Sequence, residues 1–178
     1  MGEIELTKER GTDNLNNIDV FKIERKRVGK IEFGGETLDD AEDACFLISQ
    51  YIGKADRVVA AMILLDNKKH IIGLHTISIG TIDSCRMNPA EVYRAAIVCG
   101  ASMIFIGHNH PSGSIEPSQN DIEGTKRLVE VGKLIGIDLI DSFVVGENRG
   151  FSMRCEYGKD IWGDESIDDA YDVYDTEE

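Results

Sequence analysis

Apolar positions along the chain fall into two patterns, short continuous runs and helically spaced stripes, separated by polar turns. Ala41, Cys45, Ile48 and Ile52 recur at helical spacing behind the start signals Thr37 and Asp40, and Gly53 follows as a stop, which predicts a helix over 38–52. Val58 to Leu65 is an unbroken apolar run of strand length. Asp66-Asn67-Lys68-Lys69 turns the chain, and His70 to Ile79 follows as the antiparallel partner. Asn88-Pro89-Ala90-Glu91 opens a second helix, with Asn88 as N-cap, proline in the first turn and Glu91 as capping partner; it ends at Cys99 before Gly100. A third strand is expected over 102–107. A third helix, from Gln119 to Leu134, turns Ile122, Leu128, Val129 and Ile135 inward and stops before Gly136. Ile137–Val145 and Phe151–Cys155 read as two more strands, joined by a turn over 146–150. Helices interleaved with strands in this order predict an α/β (α+β) fold, a mixed sheet flanked by helices.

The ends of the chain break this regularity. Residues 1–36 are polar with little periodicity and read as an arm; 37–157 carry the periodic elements; 158–178 read as an acidic tail. Net charge is −14, and from Glu156 onward ten acidic residues face one lysine, so −9 of it lies in that stretch. An acidic surface repels phosphates, so a broad nucleic-acid footprint is not expected. The single basic cluster, Lys22 to Lys30, could touch nucleic acid or pair with the acidic tail; a solvated arm is the favoured reading. Trp162 reads as a packing anchor, with a docking site as the alternative. A hydrophobic content of 42% with 29% charged residues suits a globular domain. Neither a signal-like N-terminus nor a membrane-length apolar run is present. Cys45, Cys85, Cys99 and Cys155 form no C-x-x-C pair, which fits reduced thiols in a cytoplasmic protein and argues against a zinc ribbon.

Chemistry concentrates in Gly107-His108-Asn109-His110-Pro111-Ser112-Gly113, followed by Ser118 and Asp121. Strand alternation sends His108 and His110 to one side. Ser118 to Asp121 opens the third helix and brings a carboxylate toward them. Two histidines and one aspartate leave a fourth coordination position open, the composition of a catalytic zinc site with one zinc per chain. Ser118-x-x-Asp121 is equally a capping box, and the histidines could belong to a polar turn. His70 and His75, on the second strand, read as exposed or packed side chains.

His108-x-His110-Pro111 with Ser118-x-x-Asp121 resembles the JAMM signature of the JAB/MPN metalloproteases. The wider run is similar to the RadC-like branch: Leu65-Asp66, Ile77 to Thr81, Asn88 to Ala96, His108 to Gly113 and Lys126 to Ile137, covering about residues 38–157. The resemblance implies a JAB/MPN fold with zinc held by His108, His110 and Asp121 at a strand end facing a helix N-terminus. It also implies a serine at position 118 that stabilises an oxyanion, and peptide or isopeptide cleavage, often beside a ubiquitin-like tail. The partner it implies is a protein or peptide.

The family's proton-relaying glutamate falls where this chain has Val58, in Asp56-Arg57-Val58-Val59. Loss of such a relay costs general acid–base catalysis about 10²–10⁴-fold. Glu116 and Asp56 are the two carboxylates that could substitute. Three functions follow: a zinc peptidase or isopeptidase, an inactive JAB domain that binds protein, and a DNA-repair accessory. The helix-hairpin-helix elements that usually precede the RadC-like domain have no counterpart in the residues before 38, which makes the last the least supported.

Overall fold

The structure, a computed structural model, describes residue 19 and residues 22–163. The expected tail therefore lies outside the described residues from 164 onward, as does most of the arm before 22. Four helices and five strands follow in the order α1 (Ala41–Ile52), β1 (Val59–Leu65), β2 (Ile71–Ile79), α2 (Pro89–Cys99), β3 (Met103–Asn109), α3 (Gln119–Ile135), β4 (Asp138–Val145), β5 (Gly150–Ser152) and α4 (Met153–Ile161). The strands form one mixed sheet, β2-β1-β3-β4-β5, in which only the β3–β4 pair is parallel. The expected mixed sheet flanked by helices is what forms.

Alternation within the central strands divides the core in two. Val59, Ala61, Ile63 and Leu65 of β1, with Phe105 of β3, pack against Ala41, Ala44, Leu47, Ile48 and Ile52 of α1. Met62, Leu64, Ile104 and Ile106 face the other way, onto Val92 and Ala96 of α2 and Leu128 and Val129 of α3. Gly107 lets α1 approach β3: a Cβ there would lie 2.8 Å from Ile48 Cγ2 and 3.3 Å from the Phe143 carbonyl oxygen. Both central strands are thus buried on two faces, which explains their unbroken apolar sequences.

Four expectations need correction. α1 starts at Ala41, capped by Asp40, whose carboxylate accepts from Asp43 N–H at 2.8 Å. Thr37 instead bridges His70 and so extends the edge of β2. β3 runs on through His108 and Asn109 rather than ending at 107. The strand expected over Phe151–Cys155 holds only for its first two residues: β5 ends at Ser152, whose hydroxyl accepts from Cys155 N–H at 3.1 Å and caps α4. Ile135, expected to face inward, is 41% exposed at the end of α3.

α4 carries the fold on to Trp162. That ring is buried, its indole N–H donates to the Leu139 carbonyl at 2.7 Å, and Arg154 stacks over it at 5.6 Å. It is a packing anchor. The basic segment 22–30 is exposed throughout. Among the described residues, no helix is long and apolar enough to cross a membrane.

Candidate metal centre

β3 lies at the middle of the sheet and points its C-terminal end at the start of α3. His108 continues the alternation of Ile104 and Ile106, so its side chain enters the α2/α3 side and is only 2% exposed. His110, two residues on, follows it to the same side just beyond the strand. The two Nε2 atoms lie 3.1 Å apart, with the rings tilted by 60°.

The third member arrives with α3. Ser118 and Asp121 form a reciprocal capping box: Asp121 N–H donates to Ser118 Oγ at 3.3 Å, and Ser118 N–H donates to Asp121 Oδ2 at 2.8 Å. The Ser118 hydroxyl also donates to Asp121 Oδ2, at 2.6 Å. The cap therefore fixes the carboxylate, and its other oxygen, Oδ1, stands 3.3 Å from His108 Nε2, while Oδ2 is 3.8 Å from His110 Nε2. The capping and site readings of Ser118-x-x-Asp121 are one structure: the cap aims the carboxylate at the histidines.

Electrostatics follow from this packing. Burial raises the Asp121 carboxyl, but the hydrogen bond and charge of His108 and the Ser118 hydroxyl and amide outweigh it, holding the group well below the usual carboxylate range. His110 is pushed below the ordinary imidazole value by burial first and by repulsion from His108 second, against the pull of Asp121 and of the Ser114 backbone. Both effects favour neutral imidazole beside ionised carboxylate, the forms that ligate cations.

Ligand atoms of His108, His110 and Asp121 all lie within 4.8 Å of one another, and the three could hold a metal ion. Two imidazole nitrogens and one carboxylate oxygen suit a divalent transition metal. His108 Nδ1 is buried and has no hydrogen-bond partner among the described residues. A metal-binding histidine usually has its second nitrogen oriented by a hydrogen bond, and His108 has none among the described residues.

The candidate relays sit elsewhere. Asp56 is 79% exposed and turned onto its neighbour Arg57, at 2.9 Å. Glu116 is exposed in the loop before α3, with its N–H donating to Ser114 Oγ at 3.2 Å. Neither belongs to the converging group. Ala60 pairs with His108 across the β1–β3 ladder, so the two side chains share a face, and Val58 precedes Ala60 by two residues. Val58 is buried, and its backbone is held by Val58 N–H to Thr81 O and by Gly80 N–H to Val58 O, both at 2.8 Å. A hydrophobic side chain thus occupies the His108 face at the position where the resemblance implies a glutamate.

Outside the cluster, His70 pairs with Asp66 at the β1–β2 turn, and His75 is exposed on β2. Sequence reasoning passed over two polar residues. Asn109, 1% exposed, lies between the histidines and faces the opposite side. Its Oδ1 accepts from Val59 N–H at 2.8 Å, and its amide donates to the Ala55 and Arg57 carbonyls at 3.2 and 3.1 Å. It therefore fastens the segment carrying Val58 to the strand carrying His108. Cys85, in the β2–α2 loop, lies within electrostatic reach of Asp121; burial raises its thiol, a Ser78 hydrogen bond lowers it, and the Asp121 charge adds to the rise.

Comparison with known proteins agrees with this architecture. Residues 38–158 match the family model described as the RadC-like JAB domain. The chain is 40% identical over 115 residues to a UPF0758 protein of Desulforamulus reducens, which covers 65% of this chain and 51% of that protein. It is 43% identical over 118 residues to one of Finegoldia magna, covering 66% and 53%. A UPF0758 protein of Caldanaerobacter subterraneus subsp. tengcongensis is 34% identical over 169 residues, covering 84% and 72%. The chain spans about half the length of the first two relatives. With the matching segment extending from just before α1 into α4, and the His-His-Asp cluster at its centre, the chain belongs to the RadC-like JAB domain family.

Proposed function

We propose that this chain is a zinc-dependent peptidase or isopeptidase whose rate is limited by a missing proton relay, acting on a protein or peptide in the cytoplasm. The observation that supports it is the convergence of His108 Nε2, His110 Nε2 and the Asp121 carboxylate at a strand end against a helix N-terminus. His108, His110 and Asp121 would hold the zinc, which would supply Lewis acidity toward a carbonyl oxygen and toward water. Ser118 stands at the edge of the cluster with its hydroxyl hydrogen given to Asp121 Oδ2, so it would serve an oxyanion by exchanging that bond. What the described residues do not bring there is a carboxylate free to move a proton: Asp121 is a ligand, Asp56 is turned onto Arg57, and Glu116 lies in the exposed loop. The acidic composition, −14 overall, disfavours nucleic acid as the partner.

Val58 favours a second reading, a metal-loaded domain that binds an extended protein tail without cleaving it. One experiment separates the two. Zinc-loaded wild type, Val58→Glu and His108→Ala are assayed on a fluorogenic peptide library and on a ubiquitin-like protein carrying a C-terminal amide. A rate that rises about 10²–10⁴-fold in Val58→Glu and vanishes in His108→Ala supports the hydrolase. A folded, zinc-loaded Val58→Glu protein with no activity on any of these overturns it in favour of the binding domain.

A further inference from the structure

The three ligands are not equally well supported. His108 is fixed within β3, and Asp121 is fixed by its capping box. His110 lies past the end of the strand, at the head of a loop whose backbone it shares: Gly113 N–H closes the turn onto the His110 carbonyl at 2.9 Å, and the Ser114 backbone lies within electrostatic reach of the His110 ring. That loop is gripped from outside. Arg149, 36 residues away in the β4–β5 turn, donates from Nη2 to the Gly113 carbonyl at 2.6 Å.

The turn that carries Arg149 is itself anchored. Gly146 N–H donates to the Arg149 carbonyl at 2.8 Å and closes it. Ser49 of α1, a buried hydroxyl, donates to the Gly146 carbonyl at 2.6 Å and to the Glu147 carbonyl at 3.1 Å. Gly53 meets the same turn so closely that a Cβ would lie 2.4 Å from Gly146 O, and Lys54 pairs with Glu147 at 2.9 Å. A continuous path therefore runs from the end of α1, through the β4–β5 turn and the Arg149 guanidinium, to Gly113, which closes the turn onto His110.

We propose that Arg149 is a positioning residue for the metal centre: it clamps the Gly113–Ser114 backbone and so sets the position of His110 relative to His108 and Asp121. The inference rests on the metal-centre reading above and assigns Arg149 no contact with the ion. An arginine suits the task because its charged, planar donor group makes a stronger bond to a carbonyl than a neutral donor would.

The test is metal affinity, measured on the full chain by competition with a chromophoric chelator, for zinc and for cobalt, with the cobalt absorption spectrum as a report on ligand geometry. Arg149→Met is expected to weaken binding of both metals about 10- to 100-fold, the range for losing a group that orients a ligand, and to change the cobalt spectrum. Arg149→Lys, which keeps a cationic donor, is expected to recover most of the affinity. The melting temperature in excess chelator should not change, because the bond lies at the surface. Wild-type affinity and an unaltered spectrum in Arg149→Met would overturn the clamp while leaving the metal centre standing. A wild-type chain that binds neither metal would overturn both.

Discussion

Replacing Asn109 tests the link between the strand that carries His108 and the segment that carries Val58. In Asn109→Ala the Val59 N–H, on a residue only 9% exposed, loses its acceptor at 2.8 Å. A buried donor left unpaired costs about 1–3 kcal/mol. The two donated bonds, at 3.2 and 3.1 Å, end on carbonyls of Ala55 and Arg57, which lie nearer solvent; each loss costs about 0.5 kcal/mol. The total is about 2–4 kcal/mol, read as the shift in the urea midpoint at pH 7 with chelator present and the slope unchanged. Asn109→Asp sharpens the test because its shape is nearly the same. It keeps the acceptor for Val59 N–H but turns a carboxylate oxygen onto two carbonyl oxygens, so near neutral pH it should destabilise at least as much as alanine. Protonation restores one donor, and burial among acceptors raises such a carboxyl above the usual carboxylate range, so the loss should shrink as pH falls below neutral. An alanine variant within about 0.5 kcal/mol of wild type, or an aspartate variant as stable as wild type, would refute the reasoning.

Two further predictions concern the frame around the site. Burial pushes the Asp141 carboxyl up from 3.8 to about 6, against hydrogen bonds from Ser152, Arg154 and Ser142. The folded chain therefore binds this proton more tightly than the unfolded one. The associated stability is full below the unfolded value and is lost as pH rises through about 6. Asp141→Asn lacks this titration, so between about pH 4 and pH 8 wild type should lose about 2 kcal/mol relative to the variant; parallel urea midpoints across that range would contradict it. In Gly107→Ala the new methyl meets Ile48 Cγ2 at 2.8 Å, which should cost about 1–3 kcal/mol. In a double-mutant cycle, Ile48→Ala should relieve part of that cost, and strict additivity would show that the two residues do not clash.

Much of this molecule was legible because its signals are local. Strand alternation alone puts His108 and His110 on one side, and Ser118-x-x-Asp121 is short enough to be read as a cap and a ligand together. Apolar runs and Gly stops located the first three helices and the strands between them. What was not legible depends on partners far away in sequence. The start of α4 was mistaken for strand because five residues carry too little periodicity to choose. Its deciding contact is Arg154 N–H to the buried Asp141 carboxylate at 2.9 Å, together with the Ser152 cap. Asn109 looked like a spacer between two histidines, since its partners lie about 50 residues back in the chain. Arg149 had no signal at all, because a surface arginine in a turn acquires its role only when the fold brings Gly113 to it.

The central claim is that His108, His110 and Asp121 form a metal centre, and elemental mass spectrometry of the purified full chain tests it most directly, alongside His108→Ala and Asp121→Asn. About one zinc per wild-type chain, lost in both folded variants, is the predicted result; a folded wild-type chain that takes up no metal at saturating zinc would contradict it.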